Sequence, residues 1–419
     1  SIISAVVYNL VCSLGALSLF AQKPEPAQML QLAQFPAQPA LHRALEAYFT
    51  PVQLEKGEAW LAIGPDALFA VKAASAPVLF VDGQEAVPMQ QAGPYYIGRA
   101  ILKPYTSHTF HFSVDGKPFG GRMDVPAFGP EAYEQPGVPQ GSLSEKIVHK
   151  SKIYEGLQTD YWVFTPAQYN AATAAPVMVW QDGQGYANRK ANNRTLITLE
   201  NLMHQGRIPV AIHVLIAPGK IGERAMRSVL YDTVTDKYAR FVLEEILADV
   251  SKTHNLRKDG YSRAIAGESS GAVCAFTAAW FKPEEFSRVY SRIGTYTSIQ
   301  WKPGELDGGN IYPFALRKQP KRNIRIWLSD GSNDLENTHG SWPLQNIQMA
   351  NSLKLREYDF RFHWGNGPHS SQQGHAELPL ALPWLWRGYD PAKSSEAYTM
   401  DPAEKDKPYF RVTSLNRTN

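Results

Sequence analysis

The pentapeptide GESSG at residues 267–271 has the spacing of a nucleophilic serine in a tight turn. An apolar run at 264–266 precedes it, and small residues that favour a helix follow at 272–276. A G-x-S-x-G sequence between a strand and a helix is typical of a nucleophile elbow, in which glycines let the chain bend and the serine Oγ projects from the sheet edge. The helix N-terminus can stabilise a developing oxyanion. The sequence therefore predicts Ser269 as a nucleophile.

A serine nucleophile needs a general base, and the base needs a carboxylate that orients it. When the nucleophile lies in such an elbow, the acid and then the histidine follow it along the chain. The apolar run at 324–328 predicts a strand that leads into the loop SDGSND. Asp334 fits the acid best, because a loop that turns at Gly331 can aim it at the sheet. Asp330 and Glu336 are the alternatives.

The general base is expected at the next junction between a strand and a loop. The run at 358–363 predicts that strand, and the turn residues GNGP then lead to His369. These turn residues free the imidazole to reach across the strand ends, so we predict His369 as the base. His363 alternates with apolar positions and is predicted to be a strand residue. His375 and His339 are weaker candidates for the base.

An oxyanion hole needs two backbone N–H donors. One is predicted at Ser270, the residue that follows the nucleophile. The other is expected after an early strand, and the apolar run at 177–180 ends in the glycine-rich turn QDGQGY. Gly183 or Gln184 could supply this amide. A plain connection between a strand and a helix is the simpler interpretation of this turn.

Aromatic residues are frequent around the predicted site, where an aryl ester or a sugar ring could stack on them. The candidates for substrate contact are Tyr186, Tyr296 and Trp342, with Trp301 and Trp364 also near the site in sequence. Packing in the core is the alternative for most of these residues. Trp342 lies between the predicted acid and base along the chain, which makes it the first candidate for mutation.

The sequence predicts no metal site and no cofactor. The histidines lack the H-E-x-x-H spacing of a zinc site. The acidic residues from Asp330 to Glu336 differ from a calcium loop because the glycine stands second instead of sixth.

The composition is that of a globular protein with sizeable cores. Of 419 residues, 44% are apolar and only 19% are charged, which excludes a disordered or highly charged chain. The net charge is +3 without a basic stripe, so no nucleic-acid partner is predicted. Two cysteines exclude a disulfide framework.

Residues 1–21 are uncharged and mostly apolar, and the polarity changes abruptly at Gln22. This pattern predicts a secretory signal that is cleaved after Ala21, and hence a secreted or periplasmic protein with no stable membrane insertion after cleavage. An N-terminal membrane anchor is the alternative, because about 18 apolar residues can just span a bilayer.

In the rest of the chain, the pattern of apolar residues changes from the first part to the second. Short apolar runs separated by turn signals predict a small β-sandwich, and later strands that alternate with amphipathic helices predict an α/β domain with a mostly parallel sheet. The predicted segments are an N-terminal extension at 22–51, the sandwich at 52–127, a Pro/Gly linker at 128–141, the α/β domain at 142–392 and a tail at 393–419.

The runs VMVWQDGQGY, IAGESSGAVCAFTAAW, IRIWLSDGSNDL and GPHSSQQGHAELPLALPWLWRGY resemble the enterochelin-esterase-like group of α/β-hydrolases. This group is related to carbohydrate esterase family 1, which includes feruloyl and acetyl xylan esterases. The resemblance covers roughly residues 142–390. It implies the α/β-hydrolase fold, with Ser269 as nucleophile, Asp334 as acid, His369 as base and the amide of Gln184 in the oxyanion hole.

The resemblance also implies a function. It is a serine ester hydrolase that works through an acyl-enzyme on a small-molecule or polysaccharide-linked ester, with feruloyl or acetyl esters of plant polysaccharides as the expected substrates. A siderophore or other small-ester hydrolase is one alternative, and a non-catalytic carbohydrate-binding protein on a hydrolase scaffold is another. Oligomeric state is left open.

One position departs from the family pattern, and a part of the chain outside the resemblance carries a weaker resemblance of its own. The family pattern R-S-x-E-Y-D has an acidic residue where this chain has Leu230, which puts a substrate role for that position in doubt. Residues 52–125 are similar to immunoglobulin-like early-set modules related to family 48 carbohydrate-binding domains.

Overall fold

The structure is a computed structural model that describes residues 22–86 and 88–418. The chain divides into two compact units, Ser1–Gly129 and Pro130–Asn419. The predicted signal or anchor at 1–21 lies outside the described residues. In the described part of the chain, no helix is both long enough and apolar enough to cross a bilayer.

Short helices open the first unit, and each has a proline in its first turn, where the missing N–H would have no intrahelical acceptor. They are α1 (Pro26–Leu32), α2 (Pro39–Tyr48) and α3 (Pro51–Lys56). Leu41 and Leu45 of α2 share a buried core with Leu68, which lies in a strand. The segment predicted as an N-terminal extension at 22–51 is therefore packed into the core of the first unit.

The described strands of the first unit form two antiparallel sheets. They are β1 (Ala59–Ile63), β2 (Asp66–Lys72), β3 (Val78–Val81), β4 (Gln84–Glu85), β5 (Gln90–Ala92), β6 (Tyr95–Ile101), β7 (Thr106–Val114) and β8 (Lys117–Ala127). The strand orders are β1-β2-β6-β5 and β4-β3-β7-β8. Phe69 from one sheet and Leu79 and Phe110 from the other lie in one core. The immunoglobulin-like relationship of this unit stays a prediction.

The second unit alternates strands and helices. Its strands are β9 (Ser142–Leu143), β10 (Ile147–Lys150), β11 (Leu157–Thr165), β12 (Val177–Gln181), β13 (Ile212–Ile216), β14 (Lys220–Ile221), β15 (Arg224–Ala225), β16 (Arg263–Glu268), β17 (Arg288–Arg292), β18 (Arg325–Asn333), β19 (Glu336–Asn337), β20 (Gly340–Ser341) and β21 (Asp359–Pro368). Its helices are α4 (Thr195–His204), α5 (Arg227–Asp232), α6 (Lys237–Phe241), α7 (Ala248–Val250), α8 (Ser270–Phe281), α9 (Tyr312–Lys318), α10 (Trp342–Leu355), α11 (Gln372–Leu385) and α12 (Pro402–Lys405). Single 3-10 turns lie at Pro130–Ala132, Gly183–Gly185, Gly260–Ser262 and Gly309–Ile311, and a π turn at Val242–Leu247 joins α6 to α7.

The main sheet of the second unit is mostly parallel and has the order β15-β14-β11-β13-β12-β16-β17-β18-β21. From β13 to β21 all neighbours are parallel, whereas β11 runs antiparallel to β13. Val177 and Val179 of β12 belong to one core, and Met178 and Trp180 belong to a second. Because successive strand residues point to opposite faces, both faces of this sheet are covered, as expected for parallel strands.

The first part of the Pro- and Gly-rich segment predicted as a linker is hydrogen-bonded to the second unit. The side chain of Asn201 on α4 donates hydrogen bonds to the carbonyls of Glu131 and Tyr133, at 2.7 and 2.8 Å. The segment predicted as a tail is bonded in the same way, because Asn351 on α10 accepts from the amide of Phe410 and donates to its carbonyl. Amides of two helices thus fix both segments to the second unit.

The order of the parallel strands decides which loops meet. β12, β16, β18 and β21 all end at the same edge of the sheet, since parallel strands share a direction. The loops that follow these strands carry Gln184, Ser269, Asp334 and His369. The fold therefore brings four distant parts of the chain to one edge.

Candidate active site

Ser269 lies at the turn between β16 and α8, with φ 58° and ψ −124°, a backbone conformation that residues other than glycine rarely adopt. The glycines on either side make the turn possible. A Cβ on Gly267 would lie 2.0 Å from the carbonyl oxygen of Gly271, and one on Gly271 would lie 3.2 Å from a carboxylate oxygen of Asp182. The amide of Ser269 donates to the carbonyl of Arg292 at 2.9 Å, which holds the turn from the neighbouring strand. Ser269 therefore occupies the predicted elbow.

The structure brings the predicted nucleophile, base and acid together in one line. Ser269 Oγ lies 2.8 Å from Nε2 of His369, and Nδ1 of the same imidazole lies 2.6 Å from Oδ1 of Asp334. The Asp334 carboxylate is fully buried, whereas about a fifth of the His369 side chain is exposed. A carboxylate that accepts from Nδ1 leaves Nε2 as an acceptor for the serine proton.

The remaining residues that the sequence offered for these positions lie elsewhere. His363 pairs with the buried carboxylate of Glu377, and His375 Nε2 lies 3.5 Å from Glu268. His339 and Glu336 are exposed. None of these four contacts Ser269 Oγ among the described contacts.

Asp330 lies inside β18, not in the loop where the sequence analysis expected it. Burial and the adjacent Asp334 raise its pKa well above the usual range, although Asn346 donates a hydrogen bond to it at 3.1 Å. Oδ1 of Asp330 and Oδ2 of Asp334 are buried, and neither has a hydrogen-bond partner in the part of the chain that the structure describes. Because burial and Asp334 both favour the protonated form of Asp330, we expect Asp330 to be neutral and to donate its proton to Asp334.

Exchanging each of these two carboxyl groups for an amide should therefore have unequal effects. We expect Asp334→Asn to lower kcat/KM for an aryl ester by roughly 10³- to 10⁴-fold, because the amide cannot hold the imidazole in the productive tautomer. Asp330→Asn should stay within roughly threefold of the parent, since an amide N–H replaces the O–H donor. Steady-state hydrolysis of p-nitrophenyl acetate measures both. Equal losses in the two variants would contradict this assignment.

The two predicted oxyanion amides both lie in the first turn of a helix. Gln184 is in the 3-10 turn at Gly183–Gly185, and Ser270 is the first residue of α8. Amides at these positions have no intrahelical acceptor, so they are available to an anion. Gly183 is required by packing, because a Cβ there would lie 2.2 Å from the carbonyl carbon of Leu215.

Helix α5 holds both of these turns, a role that the sequence analysis did not predict. Arg227 donates two hydrogen bonds to the carboxylate of Asp182, at 2.9 and 2.8 Å, and the amide of Asp182 donates to the Tyr231 hydroxyl at 3.1 Å. Asp182 precedes the 3-10 turn and has a φ of 54°, which needs such support. Asp232, whose pKa is raised by burial, accepts from the hydroxyl of Ser270 at 2.8 Å.

The departure from the family pattern at residue 230 has a packing explanation. Leu230 is buried and belongs to the larger core of the second unit. An acidic side chain at this position would need a polar partner in that core. Arg227, Tyr231 and Asp232, which match the pattern, make their contacts without an acidic residue at position 230.

Glu268 directly precedes Ser269 and contacts the loop that carries His369. The sequence did not predict this role. Burial alone would raise its pKa, but the charge of Arg292, 2.8 Å away, together with its other partners holds the pKa well below the usual range. The Glu268 carboxylate also accepts from the hydroxyl of Tyr186 at 2.7 Å and from that of Ser371, two residues after His369. The only sequence signal for Glu268 is that an acidic residue lies inside the elbow. Its partner Arg292 lies in β17, a strand that the pattern of apolar residues did not predict.

The three aromatic residues predicted to contact substrate are all buried. Trp342 is 2% exposed and packs edge-on against His369, with ring centroids 5.7 Å apart. Tyr296 is fully buried with its hydroxyl 2.7 Å from Ser291, and Tyr186 is bonded to Glu268. Because these rings are buried and their polar atoms have partners within the protein, they support the site and are not exposed to a substrate. Trp301 and Trp364 are the exposed members of the set.

The covered, mostly parallel sheet and the elbow at its edge define the second unit as an α/β-hydrolase. The family model described as "Putative esterase" matches residues 156–385, more than half of the chain. The chain therefore belongs to this esterase family.

Similar proteins agree with this fold. The iron(III) enterobactin esterase of Escherichia coli O6:H1 is 26% identical over 209 residues, which is 48% of this chain and 49% of that protein. This chain thus matches about half the length of the curated relative. The enterobactin esterase of Shigella flexneri in the presence of enterobactin is 17% identical and superposes with a TM-score of 0.53, covering 84% of this chain and 98% of the other. The ferric enterobactin esterase of Salmonella typhimurium is 16% identical with a TM-score of 0.53, covering 78% and 96%.

Proposed function

We propose that the second unit hydrolyses carboxylic esters through an acyl-enzyme on Ser269. The observation that carries the proposal is the line of contacts from Ser269 Oγ to His369 Nε2, at 2.8 Å, and from His369 Nδ1 to Asp334, at 2.6 Å. The rare backbone conformation of Ser269 supports it, because such strain is typical of a nucleophile elbow.

In this mechanism His369 takes the serine proton at Nε2 while the Oγ lone pair forms a bond to the ester carbonyl carbon. Asp334 stabilises the imidazolium without taking its proton. The imidazolium then protonates the leaving alcohol, and the acyl group stays on Ser269. Water, activated by the same imidazole, releases the acid and restores the serine hydroxyl.

The negative oxygen of the tetrahedral intermediate would be bound by the amides of Ser270 and Gln184. Both lie in first helical turns whose N–H groups have no intrahelical acceptor. Helix α5 supports the assignment of this pair, since its Arg227 and Asp232 hold the two turns from the same side.

We expect Arg227→Gln to lower kcat by roughly 10- to 100-fold, because a loosened Asp182 lets the Gln184 amide move off the developing oxyanion. KM should change by less than about threefold, since the ground state depends less on this donor. Arg240→Gln is the matched control, because it also breaks an arginine–aspartate pair but lies on the surface of α6. An unchanged kcat in Arg227→Gln would refute the role of this arginine.

For the substrate we propose feruloyl or acetyl esters of plant polysaccharides, or small esters of the same acids. Two exposed tryptophans, Trp301 and Trp364, support an aryl or sugar-bearing substrate, because either ring can stack on them. A catecholate–serine ester, as in a siderophore, is the second candidate, and the enterobactin esterase relative favours it.

Hydrolysis assays separate the two candidates. Methyl ferulate, p-nitrophenyl acetate and a catecholate–serine ester are compared by kcat/KM at equal enzyme concentration. A preference for ferulate or acetate supports the first candidate, and a preference for the catecholate ester supports the second. No hydrolysis of any of the three by a folded protein would refute the ester hydrolase itself.

We also propose that the protein is exported, with a secreted or periplasmic location. The uncharged, apolar composition of residues 1–21 supports this. Expression of the chain with its natural leader, followed by N-terminal sequencing of the extracellular or periplasmic fraction, tests it. A mature chain that begins at Gln22 is expected, and an uncleaved protein confined to the cytoplasm would refute export.

A further inference from the structure

We infer that Thr295 is a further catalytic residue, whose hydroxyl donates a hydrogen bond to the nucleophilic oxygen of Ser269. This inference rests on the serine mechanism proposed above. Thr295 Oγ1 lies 3.1 Å from Ser269 Oγ, on a side chain that is 1% exposed. The amide of Thr295 also donates to the carbonyl of Ser269, at 3.1 Å, which fixes the two residues to each other.

The direction of each hydrogen bond follows from the groups at the two ends of the chain of contacts, which are a donor at one end and an acceptor at the other. The indole N–H of Trp342 can only donate, and it donates to Thr295 Oγ1 at 3.1 Å. At the other end, Nδ1 of His369 carries the proton that Asp334 accepts, so Nε2 is an acceptor. Ser269 lies 2.8 Å from Nε2 and has a single proton, which it gives to the imidazole.

The remaining proton of this network belongs to Thr295. Since Ser269 uses its own proton for the imidazole, the contact between the two hydroxyl groups is made with the proton of Thr295. Thr295 is buried, so no bulk water competes for this proton. The donors therefore run in one direction, from Trp342 through Thr295 and Ser269 to the histidine.

This donor acts when charge develops on Ser269 Oγ. In acylation the Oγ proton moves to Nε2 while an Oγ lone pair forms the bond to the carbonyl carbon. In deacylation the bond between the acyl carbon and Oγ breaks, its electron pair goes to Oγ, and the imidazolium returns the proton. Thr295 transfers no proton in either step. Its hydrogen bond stabilises the partial negative charge that Oγ carries while the proton is in transit.

The simpler role for Thr295 is structural, as the acceptor that satisfies the buried indole N–H of Trp342. A buried donor without an acceptor is costly, so loss of the threonine hydroxyl would disturb the tryptophan and the histidine ring that packs on it. The two roles make different predictions once the indole N–H is also removed.

The test compares Thr295→Val, Thr295→Ser, Trp342→Phe and the double variant Thr295→Val/Trp342→Phe in p-nitrophenyl acetate hydrolysis. We expect Thr295→Val to lower kcat by roughly 10- to 100-fold with KM within about twofold, and Thr295→Ser to stay within about threefold of the parent. Trp342→Phe removes the indole N–H and changes the packing on His369, so its own kcat is the reference for the double variant. The double variant should be slower than Trp342→Phe by roughly the same 10- to 100-fold.

Two outcomes would overturn the inference. One is a double variant that recovers the kcat of Trp342→Phe, because the threonine would then serve only the indole. The other is Thr295→Ser falling as far as Thr295→Val, because the hydroxyl would then be irrelevant. Thermal unfolding of each variant shows whether the fold is kept. If Ser269→Ala keeps full activity, the serine mechanism fails, whereas an inactive Ser269→Ala with a fully active Thr295→Val removes only the role of Thr295.

Discussion

Replacing Ser269 with alanine is expected to lower kcat/KM for p-nitrophenyl acetate by roughly 10⁴- to 10⁶-fold. The change removes the atom that bonds to the acyl group, and no other hydroxyl can take its place, because Thr295 has no contact with the imidazole among the described contacts. Alanine is smaller than serine and keeps the backbone, so the fold should hold. Progress curves at high enzyme concentration measure the residual rate.

Ser251→Ala is the matched control for this variant, since it makes the same chemical change at an exposed helix end. It should keep full activity. Retention of more than about a hundredth of the parent activity in Ser269→Ala would contradict a nucleophilic role for this serine, because the oxyanion donors alone give far less.

The second large effect is expected for His369→Ala, again roughly 10⁴- to 10⁶-fold in kcat/KM, because the imidazole that takes the serine proton is then missing. The double variant Ser269→Ala/His369→Ala should be no slower than either single variant, since the two residues act as one unit. The same p-nitrophenyl acetate assay measures all three.

His339→Ala is the control for the histidine, because this exposed residue was an alternative base. It should remain within about threefold of the parent. A large loss in His339→Ala together with a small one in His369→Ala would reverse the assignment. Losses that multiply in the double variant would show that the serine and the histidine act independently.

The meeting of Ser269, Asp334 and His369 could be predicted because their sequence signals are local. The pentapeptide around Ser269 has glycines at fixed positions, because a Cβ on Gly267 would lie 2.0 Å from a backbone oxygen and one on Gly271 would lie 3.2 Å from the side chain of Asp182. Asp334 and His369 each come directly after an apolar strand, one that ends at Asn333 and one that ends at Pro368. Parallel strands then bring these positions to one edge.

Strand β17, in the middle of the sheet, could not be predicted from its sequence RVYSR. Arginines at both ends hide the apolar pattern, yet all five residues are buried. Arg288 donates to the carbonyls of Tyr261 and Leu385, at 2.9 and 2.6 Å, and Arg292 pairs with Glu268. These partners lie far away in sequence, so only the tertiary structure shows which groups the two arginines contact.

The supporting residues of the site were missed for the same reason. Thr295 and Glu268 contact residues that are distant in sequence, and neither has a distinctive spacing. Arg227 belongs to the family pattern, but the pattern does not show that its partner is Asp182. The sequence predicted substrate contacts for aromatic residues that are buried. It cannot show that the indole of Trp342 and the hydroxyl of Tyr296 have buried partners. Residue type indicates what a side chain can do, but burial decides whether it can touch a substrate.

The central claim is that Ser269 is a nucleophile activated by His369, and covalent labelling tests it most directly. The full chain is treated with a fluorophosphonate probe, digested, and analysed by mass spectrometry, with Ser269→Ala and His369→Ala treated in parallel. We expect a single adduct on Ser269 in the parent, none in Ser269→Ala, and labelling slowed by at least about a hundredfold in His369→Ala. An unlabelled but folded parent chain, or an adduct that persists in Ser269→Ala, would contradict a nucleophilic role for Ser269.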